Sequence, residues 1–312
     1  MRPAGVAGRL TAAAAFAGAV GVCVTACGRG APSPAAAPDR DAAGAGSSAT
    51  LTVTVDGKPR TVVVYAPASA RAPAPLVLNL HGSGGTAAGE EAYSGMDRAA
   101  DAYGFIAAYP QGAIALAAGY AWNVPGQLLV GNQPVPTDAA DDLAFLRQAV
   151  QAIERAYGVD DKRVYAAGFS GGGRMVSQLG CDLPDVIAAV AAVAGLRYPS
   201  PCAGARPVPV VAFHGTADAV NPYDGGGEAY WTYGVADAAQ AWAAHDGCPP
   251  APARSPVDAG VELTSYAGCS AGAAVDLYTI DGWGHAWPGA PGQPSAVDAT
   301  DVMWRFFAAH PL

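Results

Sequence analysis

The chain has 312 residues, of which 51% are hydrophobic and 14% charged, and its formal net charge at pH 7 is −9. This length and composition are sufficient for one large hydrophobic core or two small ones. An acidic chain is a poor partner for nucleic acid or for anionic lipid headgroups, so the composition argues against both as ligands.

The first 26 residues predict an export signal. Arg2 and Arg9 flank an almost uncharged start, an Ala/Gly-rich apolar run follows, and polar, Pro-rich sequence comes directly after it. A retained membrane helix is the alternative, but the run is weakly hydrophobic for the roughly 20 residues that a span needs. Removal of residues 1–26 would take away two arginines and no acids, changing the formal charge from −9 to −11.

A lipid anchor and a tether are predicted after this signal. The segment "VTAC", which ends at Cys27, resembles the bacterial lipoprotein box, in which the cysteine becomes lipidated and N-terminal. Residues 27–49 are rich in Pro, Ala, Gly and Ser without periodicity, which is typical of a flexible tether. The predicted location is extracytoplasmic, either lipid-anchored to the cell membrane or secreted. Membrane contact is expected through the lipid anchor alone.

Residues 50–312 predict a single α/β domain. The segment 51–67 alternates around a Gly-containing turn and indicates a hairpin. Later apolar runs end in turn residues, as buried parallel strands do: "PLVLNLHG", "FIAAYP", "RVYAAGFS", "AAVAAVAG", "VPVVAFHG" and "VDLYTIDG". Because helical segments alternate with these runs, we expect a mostly parallel central sheet flanked by helices.

Three helices are predicted from periodicity and capping. The first begins at Thr137, and the others occupy residues 235–245 and 297–310. Asp138, Asp141 and Asp142 could suggest a metal cluster. Acidic residues in a first helical turn also favour the helix dipole, and this second interpretation is preferred. No metal site is predicted.

The segment "GFSGG", residues 168–172, follows a predicted strand and opens a helix. In this context G-x-S-x-G is typical of a nucleophile elbow, in which small residues on either side let strand and helix approach closely. Ser170 is therefore the candidate nucleophile. The alternative is a Gly-rich turn whose serine only caps the helix. A phosphate loop is disfavoured because Arg174 and Met175 replace its lysine.

A serine nucleophile needs a histidine base and a carboxylate. His285 is the preferred base because it lies in a Gly-rich loop after the last predicted strand. Asp218, four residues after the strand-ending His214, is the preferred acid, and Asp224 is its rival. The chain order Ser, Asp, His is that of α/β-hydrolases.

An oxyanion hole needs two backbone N–H donors. Gly171, the residue after the nucleophile, is expected to supply one. The loop "HGSGG" after an early strand is expected to supply the other, from Ser83 or alternatively from Gly82. A generic Gly-rich turn is the other interpretation of this loop.

Several motifs occur together in order: "LHGSGG", "DDLAFLRQAV", "DDKRVYAAGFSGGGRM", "HGTADAVNPY" and "GWGHAWPG". They resemble the polyhydroxybutyrate depolymerase and feruloyl esterase group of secreted α/β-hydrolases, which includes bacterial lipoproteins. The resemblance covers nearly all of residues 51–312. It implies the α/β-hydrolase fold, ester hydrolysis, and a triad of Ser170, Asp218 and His285.

Cysteines and tryptophans supply the remaining candidates. Four cysteines lack the spacing of a zinc site, and in an exported chain they indicate disulfides. Three connectivities are possible, and proximity favours Cys181 with Cys202 and Cys248 with Cys269. The candidate substrate-binding aromatic residues are Trp122, Trp283 and Trp287.

The predicted function is that of an exported serine esterase acting through an acyl-enzyme on Ser170. Small acyl esters, hydroxyalkanoate oligomers and hydroxycinnamoyl esters are the expected substrates. No cofactor is expected, and the protein is expected to be a monomer. The alternatives are a serine peptidase, since the same triad cleaves amides, and a cell-surface binding module without turnover.

Overall fold

The computed structural model describes residues 46–202, 204 and 206–312. The predicted signal peptide, Cys27 and the tether up to residue 45 lie outside the described residues. The first strand begins at Ser47, which lies inside the predicted tether of residues 27–49. The folded domain therefore starts three residues earlier than residue 50.

The described residues form a ten-stranded sheet in the order β1-β2-β4-β3-β7-β8-β9-β12-β11-β10, with β5 and β6 as a separate hairpin. Six neighbouring strands, from β4 to β12 in this order, run parallel, and antiparallel strands flank them on both sides. The strands are β1 Ser47–Val55, β2 Lys58–Ala66, β3 Ala74–Leu80, β4 Ile106–Pro110, β5 Ile114–Ala115, β6 Tyr120–Ala121, β7 Val159–Phe169, β8 Ala189–Val193, β9 Val210–Gly215, β10 Ala253–Asp258, β11 Val261–Tyr266 and β12 Val275–Ile280. The predicted mostly parallel sheet is confirmed.

Helices cover both faces of this sheet. They are α1 Ala87–Ser94, α2 Met96–Tyr103, α3 Asp142–Tyr157, α4 Gly171–Asp182, α5 Val235–His245 and α6 Ala299–Ala308. Side chains alternate between faces along β3: Leu76 and Leu78 pack in the core under α3, α4 and α5, whereas Val77 packs in the core under α2 and α6. Burial on both faces explains why the central strands read as continuous apolar runs.

The helix predicted from Thr137 begins later, at Asp142. The Asp141 side chain caps it by accepting from the Ala144 N–H at 3.0 Å. Asp142 is buried and pairs with Arg60 at 2.6 Å, so its role is an ion pair rather than a general dipole interaction. Within the described residues, no group of three or more metal-ligating side chains was found.

The last strand in the order, β10, is an exposed edge. All six of its residues are exposed, Pro256 lies in its middle, and its pairing with β11 shifts register between Pro256 and Asp258.

None of the helices in the described part of the chain has the length and apolarity needed to cross a membrane.

Candidate active site

Ser170 occupies the sharp turn between β7 and α4. Its backbone has φ 52° and ψ −113°, a conformation that is rare for a residue with a side chain. The Ser170 N–H donates to the Val193 carbonyl at 2.8 Å, and the Ser170 carbonyl accepts from the Arg174 N–H at 3.0 Å. The end of β8 and the first turn of α4 therefore hold the strained turn in place.

Two glycines make this turn possible. A Cβ on Gly168 would lie 2.5 Å from the Gly172 carbonyl carbon, and a Cβ on Gly172 would lie 2.1 Å from the Leu80 carbonyl oxygen. Strand β7, helix α4 and the end of β3 thus approach more closely than any side chain permits. The sequence requirement for small residues around Ser170 follows directly from this packing.

Asp218 and His285 form a close pair. The His285 Nδ1 lies 2.7 Å from the Asp218 Oδ2, and the Asp218 side chain is completely buried. An ionised carboxylate can only accept a hydrogen bond. The His285 Nδ1 therefore carries the proton, and Nε2 is the basic nitrogen. The rival Asp224 is exposed and makes no hydrogen bond to His285 among the described residues.

The Asp218 carboxylate accepts three hydrogen bonds and has a fourth polar contact, with His214. Its Oδ1 accepts from the N–H groups of Val220 at 2.9 Å and Asn221 at 2.8 Å. Its Oδ2 lies 3.4 Å from the His214 Nε2 as well as 2.7 Å from His285. Burial alone would raise the pKa of Asp218. Hydrogen bonds from His214, His285 and the Asn221 N–H more than offset burial and hold the pKa well below its usual range.

His214, which sequence analysis identifies only as the last residue of a strand, contacts the Asp218 carboxylate in the structure. Its Nε2 lies 2.8 Å from the Asn221 carbonyl oxygen, so Nε2 must carry the proton. Its ring stacks on Trp231 with centroids 5.7 Å apart. The spacing of His214 four residues before Asp218 was the signal that could have identified this contact.

The backbones of Ser83 and Gly171 are in contact with each other next to Ser170. A Cβ on Gly171 would lie 3.0 Å from the Ser83 nitrogen, so the two backbones are in close contact. Gly171 is the first residue of α4, and its N–H has no partner within the helix. Among the described residues, the Ser83 N–H donates no backbone hydrogen bond either. Two N–H donors are thus free next to Ser170.

The loop that carries Ser83 is fixed from both sides. The Gly84 N–H donates to the Tyr120 carbonyl at 2.8 Å, and the Tyr120 N–H donates to the Gly85 carbonyl at 2.9 Å. The His81 Nδ1 donates to the Gly82 carbonyl at 2.8 Å, while Nε2 accepts from the Gly112 N–H at 3.0 Å. Burial lowers the pKa of His81, which keeps this ring a neutral bridge between the two loops.

The three candidate tryptophans differ in their surroundings. Trp122 is buried and donates from Nε1 to the His81 carbonyl at 2.8 Å. Trp287 has no exposed surface and donates to the Thr300 hydroxyl at 2.9 Å, so it is a core residue of the α6 side and does not offer its ring to a substrate. Trp283 is partly exposed and donates to the Ala286 carbonyl in the loop of His285.

Two disulfides join Cys181 to Cys202 and Cys248 to Cys269, with Cα atoms 5.4 and 3.8 Å apart. This is the pairing favoured by sequence proximity. The first disulfide ties the end of α4 to the segment after β8. The second ties the end of α5 to the segment before β12.

An open cavity of about 490 Å³ lies beside the Ser83 loop, and its lining residues include Lys58, Gln111, Ile114 and Tyr120. Tyr120 also carries the hydrogen bonds that fix Gly84 and Gly85, so the cavity adjoins the back of this loop. The residues that line it do not include Ser170.

A mainly parallel sheet with a strand–serine–helix turn at its carboxyl edge defines the α/β-hydrolase class. Solved structures support this fold. The acetyl xylan esterase from Aspergillus awamori has a TM-score of 0.58 at 18% identity, covering 83% of this chain and 99% of that one. An S-formylglutathione hydrolase from Agrobacterium tumefaciens has a TM-score of 0.54 at 14% identity, covering 85% and 96%.

Residues 61–224 match the family model described as esterase PHB depolymerase. "Putative esterase NocK" of Nocardia uniformis subsp. tsuyamanensis is 35% identical over 251 residues, or 72% of this chain and 69% of that protein. Feruloyl esterase B of Piromyces equi is 37% identical over 221 residues, or 67% of this chain and 39% of that protein. The chain belongs to the esterase PHB depolymerase family and is a carboxylic ester hydrolase.

Proposed function

We propose that the protein is an exported serine esterase that forms an acyl-enzyme on Ser170, with Asp218 and His285 as its triad partners. The observation that carries this proposal is the 2.7 Å contact between His285 and the buried Asp218, in a fold whose strained turn presents Ser170. This contact leaves the His285 Nε2 as the free base.

Each half of the reaction uses two successive proton transfers. The Ser170 hydroxyl oxygen attacks the ester carbonyl carbon while His285 Nε2 takes the hydroxyl proton. The carbonyl oxygen becomes an oxyanion, which the N–H groups of Ser83 and Gly171 stabilise. As the bond to the alcohol breaks, His285 returns the proton to the leaving oxygen. Water then repeats the sequence on the acyl-enzyme, releasing the acid and restoring Ser170.

The ionised Asp218 has a defined role in this sequence. It fixes the His285 tautomer and stabilises the imidazolium that forms when His285 accepts a proton. Because the contacts with His214, His285 and the Asn221 N–H outweigh burial and hold the pKa of Asp218 well below its usual range, the carboxylate stays ionised while His285 changes charge. Protons therefore move between His285 and Ser170, the substrate or water, and Asp218 does not take one up.

The proposed substrates are small acyl esters, hydroxyalkanoate oligomers and hydroxycinnamoyl esters. The names of relatives and structural neighbours, which include feruloyl and acetyl xylan esterases, support this range. Export is proposed from the sequence of residues 1–26, with lipidation of Cys27 and a tether before the domain at 50–312. Two disulfides fit an oxidising compartment.

The test compares wild type with Ser170→Ala and with Ser177→Ala, a buried serine on the same helix, as the matched control. Fluorophosphonate labelling and hydrolysis of 4-nitrophenyl acetate and of a peptide 4-nitroanilide are measured. We expect Ser170→Ala to lose labelling and at least about 10³-fold in ester turnover while remaining folded. Normal turnover in Ser170→Ala would remove the assignment, and preference for the anilide would indicate a peptidase.

A further inference from the structure

Two arginines beside the candidate site are buried without a counter-ion. Arg174 and Arg197 are only 3% and 6% exposed. No carboxylate lies within ion-pair distance of either side chain among the described residues. Arg60, which is similarly buried, pairs with Asp142 at 2.6 Å. Buried charges are normally paired, so this pair of unmatched cations in an acidic chain requires an explanation.

The groups in direct contact with the Arg174 guanidinium are neutral, and the nearby Glu228 carboxylate acts on it only from beyond ion-pair distance. Its Nη1 reaches the Leu128 carbonyl at 3.4 Å, and its Cζ lies 4.2 Å from the centre of the Tyr230 ring. Its Nε is buried and has no hydrogen-bond partner among the described residues. A guanidinium has five N–H donors in a planar fork, so most of the donors of Arg174 are unused.

Arg197 adds a second positive charge to the same region. Its Nη1 donates to the Gln178 Oε1 at 2.6 Å, a neutral acceptor on α4. Burial lowers the pKa of Arg197, and the charge of the nearby Arg174 lowers it further, while Tyr233 and Asp182 act in the opposite direction. The two cations therefore reinforce each other as a region of positive potential next to α4.

This region lies at the nucleophile end of α4. Arg174 follows Ser170 by one helical turn, about 5.4 Å of rise, and its N–H donates to the Ser170 carbonyl at 3.0 Å. Long side chains on a helix lean toward its N-terminus, which here is the end that carries Ser170. A group bound to this guanidinium would therefore be only a few bonds from a carbonyl at Ser170.

Two loops cover Arg174 and are joined to each other. The Gly131 N–H donates to the Glu228 Oε2 at 2.6 Å, and the Ala229 N–H donates to the Asn132 Oδ1 at 2.7 Å. One loop supplies the Leu128 carbonyl and the other supplies the Tyr230 ring. Neither of these bonds between the loops uses the Arg174 guanidinium.

We infer, on the basis of the proposed function, that Arg174 binds an ionised carboxylate carried by the ester substrate. The buried charge without an anionic partner, one helical turn from Ser170, assigns this role. The substrate class is then esters with a free carboxylate a few bonds from the scissile carbonyl, on either the acyl or the alcohol side. The free acid end of a short hydroxyalkanoate oligomer has this chemistry.

The test uses two matched substrate pairs. For the acyl side, the mono-4-nitrophenyl ester of glutaric acid is compared with the 4-nitrophenyl ester of glutaric acid monoamide. For the alcohol side, 3-acetoxybutanoate is compared with 3-acetoxybutanamide. The readout is the ratio of kcat/KM for the acid to that for the amide. The variants are Arg174→Gln, Arg174→Lys and the control Arg147→Gln, which removes from α3 a guanidinium paired with Asp185.

We expect wild type to prefer the acid at least tenfold in one pair, and that pair identifies the side that carries the carboxylate. Arg174→Gln should reduce this ratio at least tenfold, Arg174→Lys should retain part of it, and Arg147→Gln should not change it. A wild-type ratio near one in both pairs overturns the inference even if Arg174 variants do not fold, as does a ratio that Arg174→Gln leaves intact. Absence of turnover on all four esters, together with absence of fluorophosphonate labelling, would instead overturn the proposed function and the inference with it.

Discussion

The Nε2 of His214 lies 3.4 Å from the Oδ2 of Asp218, the same carboxylate oxygen that accepts from His285 at 2.7 Å. Two imidazole rings thus share one oxygen, and only His285 is in the loop expected to face Ser170. His214 is a positioning residue, because it acts on Asp218 and not on substrate. Its contribution should be visible in how activity depends on pH.

We predict that His214→Phe lowers kcat about tenfold while changing KM little. Phenylalanine preserves stacking on Trp231 but removes the 3.4 Å contact between the His214 Nε2 and the charged Asp218 carboxylate, and a tenfold change in rate corresponds to about 1.4 kcal/mol. Without this contact the Asp218 carboxylate should stabilise the imidazolium of the triad more strongly, so the acid limb of the kcat profile should move to higher pH. His310→Phe, in the C-terminal segment, is the control. An unchanged pH profile with reduced stability would indicate a purely structural role.

Gly172→Ala should destabilise the protein by about 3 kcal/mol or more, because its Cβ would lie 2.1 Å from the Leu80 carbonyl oxygen. The free energy of unfolding in urea is the measurement. Gly284→Ala is the matched control, since no atom lies within 4 Å of its Cβ position. Equal stability of the two variants would contradict the close approach of α4 to β3.

Glu90 should make stability fall as pH rises. Burial raises the pKa of Glu90 from its usual value of 4.5 to about 8. Between these two values the folded state holds a proton that the unfolded state releases, so unfolding becomes easier as pH increases through this window. Glu90→Gln removes the effect. Relative to wild type, the variant should gain a few kcal/mol in unfolding free energy between pH 5 and pH 9.

The measurement for Glu90 is urea unfolding of both proteins at pH 5 and pH 9. A stability difference between variant and wild type that is the same at both pH values would contradict a protonated, buried Glu90. The comparison uses differences between two proteins, so pH effects from the other groups cancel where they do not contact Glu90.

Trp283→Ala should lower kcat/KM for a feruloyl ester about fivefold relative to an acetyl ester. Trp283 is partly exposed and lies two residues before His285, so its ring can stack on a hydroxycinnamoyl group, and such contacts contribute about 1 kcal/mol. Trp287→Phe is the control. It loses the hydrogen bond to Thr300 and should reduce stability without altering the ratio of the two esters. Equal ratios in wild type and Trp283→Ala would place the aromatic subsite elsewhere.

Strands buried on both faces were predictable because burial produces uninterrupted apolar runs, as in β3 and β8. The hairpin of β10 and β11 was not predicted. β10 is exposed throughout and contains Pro256, so it has neither an apolar run nor an alternation of apolar and polar residues.

The predicted start of α3 was wrong because, in the sequence, Thr137 is as good a helix cap as Asp141. Only tertiary contacts, such as that of Asp142 with Arg60, favour the later start.

The residues of the candidate site also differ in whether the sequence could predict their roles. Residues within one local motif, such as the glycines around Ser170, could be interpreted from spacing because their packing is local. The burial of Arg174 depends on Leu128 and Tyr230, which lie 46 residues before and 56 residues after it in the chain. The core position of Trp287 depends on Thr300 in α6. Contacts between distant segments leave no local pattern.

The exposed edge strand β10 has a consequence for behaviour at high concentration. An unprotected sheet edge offers free N–H and C=O groups to a second chain and so promotes aggregation. Pro256 removes one of these donors, the register shift after it bends the strand, and the charged Arg254 lies on the same edge. These features oppose edge-to-edge pairing between two molecules, which should limit sheet-mediated aggregation at high protein concentration.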